Sequence, residues 1–177
     1  MTPEVLPVDA DHAEIRTRLA AVGWVVLVDG DGEPVTLLTP DLADRAEPPP
    51  VILVAADTTA AEFVSSSAVT LLDLADDIPG LVRVSDGRPV GVLPVEELDA
   101  LLATGGYEPP PTTMGPFGAA TDAILPGGAR VPKARVRCAE PGCGWLNELD
   151  FYDRTAPPRC ANEGLPEHPL RLATRGG

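Results

Sequence analysis

Aromatic side chains make up only 4% of this 177-residue sequence, so any core must be aliphatic, built from Val, Leu, Ile and Ala. Lysine is nearly absent: Lys133 stands alone beside twelve arginines. Cations are scarce altogether, with 13 Lys and Arg against 27 Asp and Glu, a formal net charge of −14. A field of that sign repels phosphate backbones and anionic lipid surfaces, so nucleic-acid and membrane binding are disfavoured. No uncharged apolar run approaches the roughly 18–20 residues that a membrane helix needs. The start, MTPEVLPVDADH, lacks the basic region of a signal peptide. Three cysteines, an odd number near the C-terminus, do not make a disulfide framework. A soluble, cytoplasmic, acidic protein is expected. The phosphate loop, the serine nucleophile elbow and the H-E-x-x-H zinc helix are all missing, so the expectation is no enzyme and no catalytic residue.

What is present begins with an uneven charge. Residues 1–108 hold 20 acidic and 5 basic side chains, whereas residues 109–177 hold 7 and 8. The 21 prolines and 17 glycines mark the boundaries. Glu47 to Pro50 divides the acidic part in two. Pro109 to Pro132 has little apolar periodicity and reads as a partly extended linker.

The acidic part contains an internal repeat. Asp31-Gly32-Glu33-Pro34-Val35 aligns with Asp86-Gly87-Arg88-Pro89-Val90, and β-forming residues precede each copy. Each reads as strand, Asp-Gly turn, strand, because glycine supplies the positive φ of a tight turn. Helices should bracket the hairpins. Asp11 with Glu14 forms a capping pair ahead of Ile15, Leu19 and Val22 on one buried face, and Gly23 is the stop. Thr39-Pro40 has the chemistry of a helix start, and Pro94 opens a helix with Val95, Leu98, Leu101 and Leu102 inward. Val51 to Ala56 reads as a buried strand. Thr59 to Ser66 reads as a short helix and Val69 to Ala75 as a second helix or a strand. The fold class is α/β (α+β), with two units packed together because neither buries both faces alone.

The carrying segments, VVLVDGDGEPVTLLTPDL (25–42) and LVRVSDGRPVGVLPVEEL (81–98), resemble a tandem pair of cystathionine-β-synthase (CBS) domains, a Bateman module. The resemblance covers residues 5–106, as repeats over 5–47 and 51–104. It implies a cleft between the halves for an adenine nucleotide or related ligand, and association as a homodimer. In the family a hydroxyl after the second strand meets phosphate or ribose, and an Asp three residues on meets the ribose. Here Thr39 holds the first hydroxyl position, with Asp41 one place early. In the second copy Pro94 replaces the hydroxyl, and Glu97 stands at the acidic position. Thr39, Asp41 and Glu97 are the candidate nucleotide-cleft residues. Only Arg16, Arg18, Arg45, Arg83 and Arg88 are on hand to meet phosphate, and the local field opposes it.

The sharpest chemistry lies downstream, where Cys138, Cys143, Cys160 and His168 follow the pattern C-x4-C-x16-C-x7-H. Thiolate and imidazole form the usual donor set of a closed structural zinc site. The Pro141-Gly142-Cys143-Gly144 turn resembles the knuckle of a zinc ribbon. Residues 133–172 are therefore expected to be a small zinc-ribbon-like β domain hung on the Pro/Gly-rich linker 107–132. Val136–Cys138 and Trp145–Leu149 would be its hairpin. So short a segment has little core without a metal staple. Arg130, Lys133, Arg135 and Arg137 form a basic stripe that can meet nucleic acid, an acidic partner, or the acidic body of the same chain.

Residues 173–177 read as a flexible tail. The end, Leu170 to Gly177, resembles the tails of ubiquitin-like modifiers, with two residues inserted before Arg175-Gly176-Gly177. Three readings follow: a regulatory or protein-interaction module with structural zinc and an unidentified protein partner; an adenine-nucleotide sensor; and a modifier using Gly176-Gly177.

Overall fold

The computed structural model describes residues 2–45, 48–74, 78–103 and 132–172. The predicted linker up to residue 131 lies outside these residues, as do Arg130 and the Gly176-Gly177 tail.

Two units of one topology make up the acidic part. The first runs β1 (Glu4–Pro7), α1 (His12–Val22), β2 (Val25–Val28), β3 (Pro34–Leu38). The second runs β4 (Val51–Ala55), α2 (Ala60–Val64), a 3-10 helix (Ser67–Leu74), β5 (Gly80–Ser85), β6 (Arg88–Pro94), α3 (Val95–Ala103). In each, the first strand is parallel to the second and the second antiparallel to the third. The α+β class and the pairing of two repeats hold. The opening strand β1 was not anticipated, and the turn 40–44 replaces the short helix expected at Thr39-Pro40.

The two Asp-Gly turns differ. In the second, Asp86 and Gly87 both have positive φ (51° and 78°), the geometry of a two-residue primed turn. The first spans Asp29 to Glu33. There the Asp29 carboxylate accepts from the N–H groups of Asp31 and Glu33 at 3.0 Å each, and only Gly32 has positive φ.

Helix α1 ends as expected, with Gly23 at φ 79° donating its N–H to the Leu19 carbonyl at 2.8 Å. Its start differs: Asp11 is the N-cap, but its side chain makes no cap bond. Only Ile15 and Leu19 are buried, and Val22 is exposed. Thr59 does form a full capping box with Glu62 ahead of α2.

The architecture is helix, sheet, sheet, helix. Ile15 and Leu19 cover one face of the first sheet, against Leu6, Val25, Leu27 and Leu38. Val26, Leu37, Val51, Val82 and Val92 join the two sheets. Phe63, Leu71, Leu93 and Leu98 fill the space between the second sheet and its helices.

The C-terminal segment departs from the expected appendage. Its hairpin, β7 (Lys133–Arg137) and β8 (Leu146–Leu149), continues the second sheet in the order β6-β5-β4-β7-β8. Strand β7 lies antiparallel to β4, with Val51 opposite Arg135 and Ile52 opposite Ala134. Beyond β8 the chain turns back over the second repeat. Tyr152 is buried in that repeat's core, its N–H reaches Thr70 Oγ1 at 3.3 Å, and Arg154 donates to the Asp73 carbonyl.

Strands β5 and β6 meet tightly at one point. A Cβ on Gly80 would lie 2.6 Å from the Leu93 carbonyl oxygen. Because backbone must move to relieve that clash, Gly80→Ala is expected to lower unfolding free energy by about 1–3 kcal/mol, measured by urea denaturation.

Candidate metal centre

Two turns bring four donor side chains to one point. The first follows β7 directly. Cys138 donates its N–H to the Trp145 carbonyl at 2.9 Å, which extends the hairpin, and Cys143 donates to the Glu140 carbonyl at 2.9 Å. Gly142 and Gly144 have positive φ (80° and 59°), which lets the knuckle fold around Cys143. The second turn is closed by Cys160 N–H to the His168 carbonyl at 3.0 Å and Leu170 N–H to the Pro158 carbonyl at 2.7 Å. Ala139 N–H to the Arg171 carbonyl, at 2.9 Å, ties the two turns together. Arg159 with Glu167, and Arg171 with Glu140, form ion pairs on the outside.

The donor atoms of Cys138, Cys143, Cys160 and His168 lie within 4.8 Å of one another, close enough for one metal ion to touch all four. Cys138 Sγ is 3.6 Å from His168 Nε2, and Cys143 Sγ is 3.6 Å from Cys160 Sγ. Cys138 is buried with Val136 and Leu170, whereas Cys143 and Cys160 are half-buried.

Outer partners orient these groups. The Nδ1 of His168 donates to the Pro166 carbonyl at 2.8 Å, which turns Nε2 toward the sulfurs, where it can offer its lone pair to a metal once it is unprotonated. Asn162 Nδ2 reaches Cys143 Sγ at 3.5 Å, and Asn147 Nδ2 reaches Cys160 Sγ at 3.6 Å. Asn147 Oδ1 also accepts the Ala161 N–H at 2.7 Å, which pins the second turn to β8. The Asn162 amide, with smaller help from Trp145, Cys160 and His168, lowers the Cys143 thiol to about 6. The Pro166 carbonyl, then the sulfurs of Cys138 and Cys143, raise His168 to about 9. Burial pushes the Cys160 thiol up. In the metal-free protein a proton on His168 is thus held by the sulfurs beside it, and a bound dication would have to displace that proton, because an imidazole ligates only when neutral. Asn147 and Asn162 were not anticipated; their amides, four residues after Cys143 and two after Cys160, were the available signal.

The described members of the basic stripe, Lys133, Arg135 and Arg137, each bond within the chain. Arg135 is nearly buried, and its guanidinium lies between the two repeats. Its Nε and Nη2 donate to Glu148 Oε1 at 3.0 and 2.9 Å, and its Nη1 donates to the Pro34 carbonyl at 3.2 Å. It also pairs with Glu33 and lies 3.7 Å from Asp29. Burial works against the arginine charge, but Glu33 and Glu148 outweigh it and raise the pKa. Burial likewise opposes ionisation of Glu148, and Arg135 and Lys133 overcome it, so its carboxyl is lowered. Arg137 donates to the Gly144 carbonyl at 3.1 Å.

The predicted nucleotide residues divide. A cleft of about 470 Å³ opens between the repeats, lined by Trp24, Thr39, Asp41, Val95, Glu96 and Asp99 among others. Thr39 and Asp41 lie on it, joined by a 2.6 Å hydrogen bond from the hydroxyl. Glu97 does not; it sits on α3 between the two acids that do. Among the described residues no Lys, Arg or His lines the cleft, and three carboxylates do.

No family model matches the chain. No curated protein matches it. Among solved structures, a CBS domain-containing protein of unknown function from Kribbella flavida is similar, with a TM-score of 0.43 and 15% identity over 58% of this chain and 94% of that one.

Asn147 supports one ligand and one ligand-bearing turn. Asn147→Ala is expected to weaken divalent-metal binding roughly 10–100-fold, measured by competition against a chromogenic chelator.

Proposed function

We propose that this chain is a non-catalytic regulatory or protein-interaction module: a CBS-like pair whose second sheet is lengthened by a hairpin fastened with structural zinc. The observation that carries the metal assignment is the spacing of the four donors. Ligands on a tetrahedral zinc, with Zn–S of about 2.3 Å and Zn–N of about 2.0–2.1 Å, lie about 3.5–3.8 Å apart. Two of the six separations, Cys138 from His168 and Cys143 from Cys160, are 3.6 Å and fall in that interval, and all six lie within 4.8 Å. Zinc would be held by those four side chains, with Asn147, Asn162 and the Pro166 carbonyl fixing their orientation. A filled set of four protein ligands leaves no position for a reacting water, which is the pattern of a structural site.

Protein partners, including a second copy through the CBS-like pair, suit the acidic body better than nucleic acid does. Lys133 and Arg135 pair with carboxylates of this chain instead of facing outward as a free basic stripe. The adenine-nucleotide reading is disfavoured by the lining of the cleft, where Asp41, Glu96 and Asp99 would meet phosphate. The modifier reading rests on Gly176-Gly177, outside the described residues. Among the described residues no helix is long and apolar enough to cross a membrane. A cytoplasmic site, where thiols stay reduced, fits three free cysteines.

Elemental analysis of the purified protein tests the metal assignment. About one zinc per chain is expected in the wild type, with loss of zinc and of thermal stability in Cys160→Ser. A wild-type protein free of zinc after purification without chelators, and unable to take it up, would overturn the reading.

A further inference from the structure

We propose that Arg135 couples the metal centre to the first repeat, so that filling the four-ligand site fixes how the two repeats sit against each other. The inference rests on the zinc reading above and adds a consequence to it.

The interface between the sheets is aliphatic, made by Val26, Leu37, Val51, Val82 and Val92. Such contacts are non-directional and tolerate small slides and tilts. Arg135 supplies direction. Its planar fork reaches Glu33, Asp29 and the Pro34 carbonyl of the first repeat, and on its other side it is held by Glu148 of β8. It is one strand residue from Val136 and three from Cys138, whose N–H bond to Trp145 continues the ladder that places Glu148 beside it.

That ladder is short. Only four residue pairs, Ala134–Leu149 through Arg137–Leu146, join β7 to β8. Strand β8 is the edge of the five-stranded sheet and is held through β7 on one side alone. Metal joins the knuckle at the end of the hairpin to the turn carrying Cys160 and His168, and so fixes the register of β8. Without it, Glu148 loses its fixed place, the guanidinium loses one of its carboxylate holders, and the grip on the Asp29–Glu33 turn loosens. The first repeat then relies more on its aliphatic contact with the second.

Trp24 provides a readout remote from both ends of this link. It packs beside the sheet–sheet cluster and lines the cleft. It stands five residues before Asp29, roughly 15 Å along an extended strand. The chain has two tryptophans, and the other, Trp145, is exposed. Full-length Trp145→Phe protein therefore reports on Trp24 alone. Its zinc content and the acrylamide quenching of its fluorescence are measured before and after removal of zinc by chelation. Quenching is expected to rise about twofold or more when zinc leaves, and to fall back when zinc is restored. In Trp145→Phe/Arg135→Gln, zinc content stays near one per chain, but quenching is high from the start and no longer responds to zinc. If that variant does not fold, Trp145→Phe/Glu33→Gln, which weakens the grip from the other side, takes its place with the same expectation. Zinc present with Trp24 indifferent to its removal overturns the coupling alone. A zinc response undiminished in the folded Arg135 or Glu33 variant assigns the coupling elsewhere and also overturns it. Absence of zinc from the Trp145→Phe parent sinks the metal site and the coupling with it.

Discussion

Antiparallel pairing of β7 with β4 is the constraint on which the rest of the molecule depends. Strand β4 reads Val-Ile-Leu-Val-Ala and is the first strand of its repeat. Left open, its outer edge would be an apolar template for aggregation. Strand β1 holds the equivalent place in the first repeat and solves the problem differently. Pro3 precedes it and Pro7 is its last residue, and a residue without an N–H cannot donate to another strand. One edge is blunted by proline and the other is covered by the chain's own hairpin. That cover brings Ala134 into the second repeat's core, aims Arg135 at the first repeat and delivers Cys138 to the metal centre.

The hairpin has two different faces, and each has its own chemistry. Arg135 and Glu148 lie toward the first repeat, an ionic seam against the Asp29–Glu33 turn. Val136, Leu149, Cys138 and Asn147 lie on the other side, under the loop that carries Cys160 and His168. A buried arginine is tolerable because carboxylates meet it from both sides, and a small cysteine-lined loop would be tolerable with one metal in place of a core it cannot build. The excess of acid in the first 108 residues thus has an internal use: part of it receives the cation that anchors the C-terminal hairpin.

Legibility in the sequence followed the range of the interaction. The Asp-Gly turns, the stop at Gly23 and the aliphatic strands are local signals, and each is where the pattern placed it. The cysteine and histidine spacing was sufficient to pick the four side chains that converge, since they are the chain's three thiols and the one imidazole near them in sequence. Strand β1 was invisible because four residues, the last of them a proline, carry almost no periodicity. The docking of β7 on β4 was invisible for a different reason: it joins segments about eighty residues apart, and nothing in Lys133–Arg137 specifies a sheet edge. Glu97 follows from the family position three residues after Pro94, whereas the cleft is lined by its neighbours Glu96 and Asp99. With Leu98 buried, residues 96 and 99 share the face turned to the cleft, three positions apart. The asparagines went unnoticed because amide-to-sulfur support depends on the folded turns.

The central claim is that one zinc ion, bound by three thiolates and one imidazole, fastens this hairpin. X-ray absorption at the zinc edge of the purified protein tests it most directly. A first shell of three sulfurs at about 2.3 Å and one nitrogen at about 2.0–2.1 Å is predicted. A shell of oxygen and nitrogen alone, or one expanded to six ligands, would contradict it.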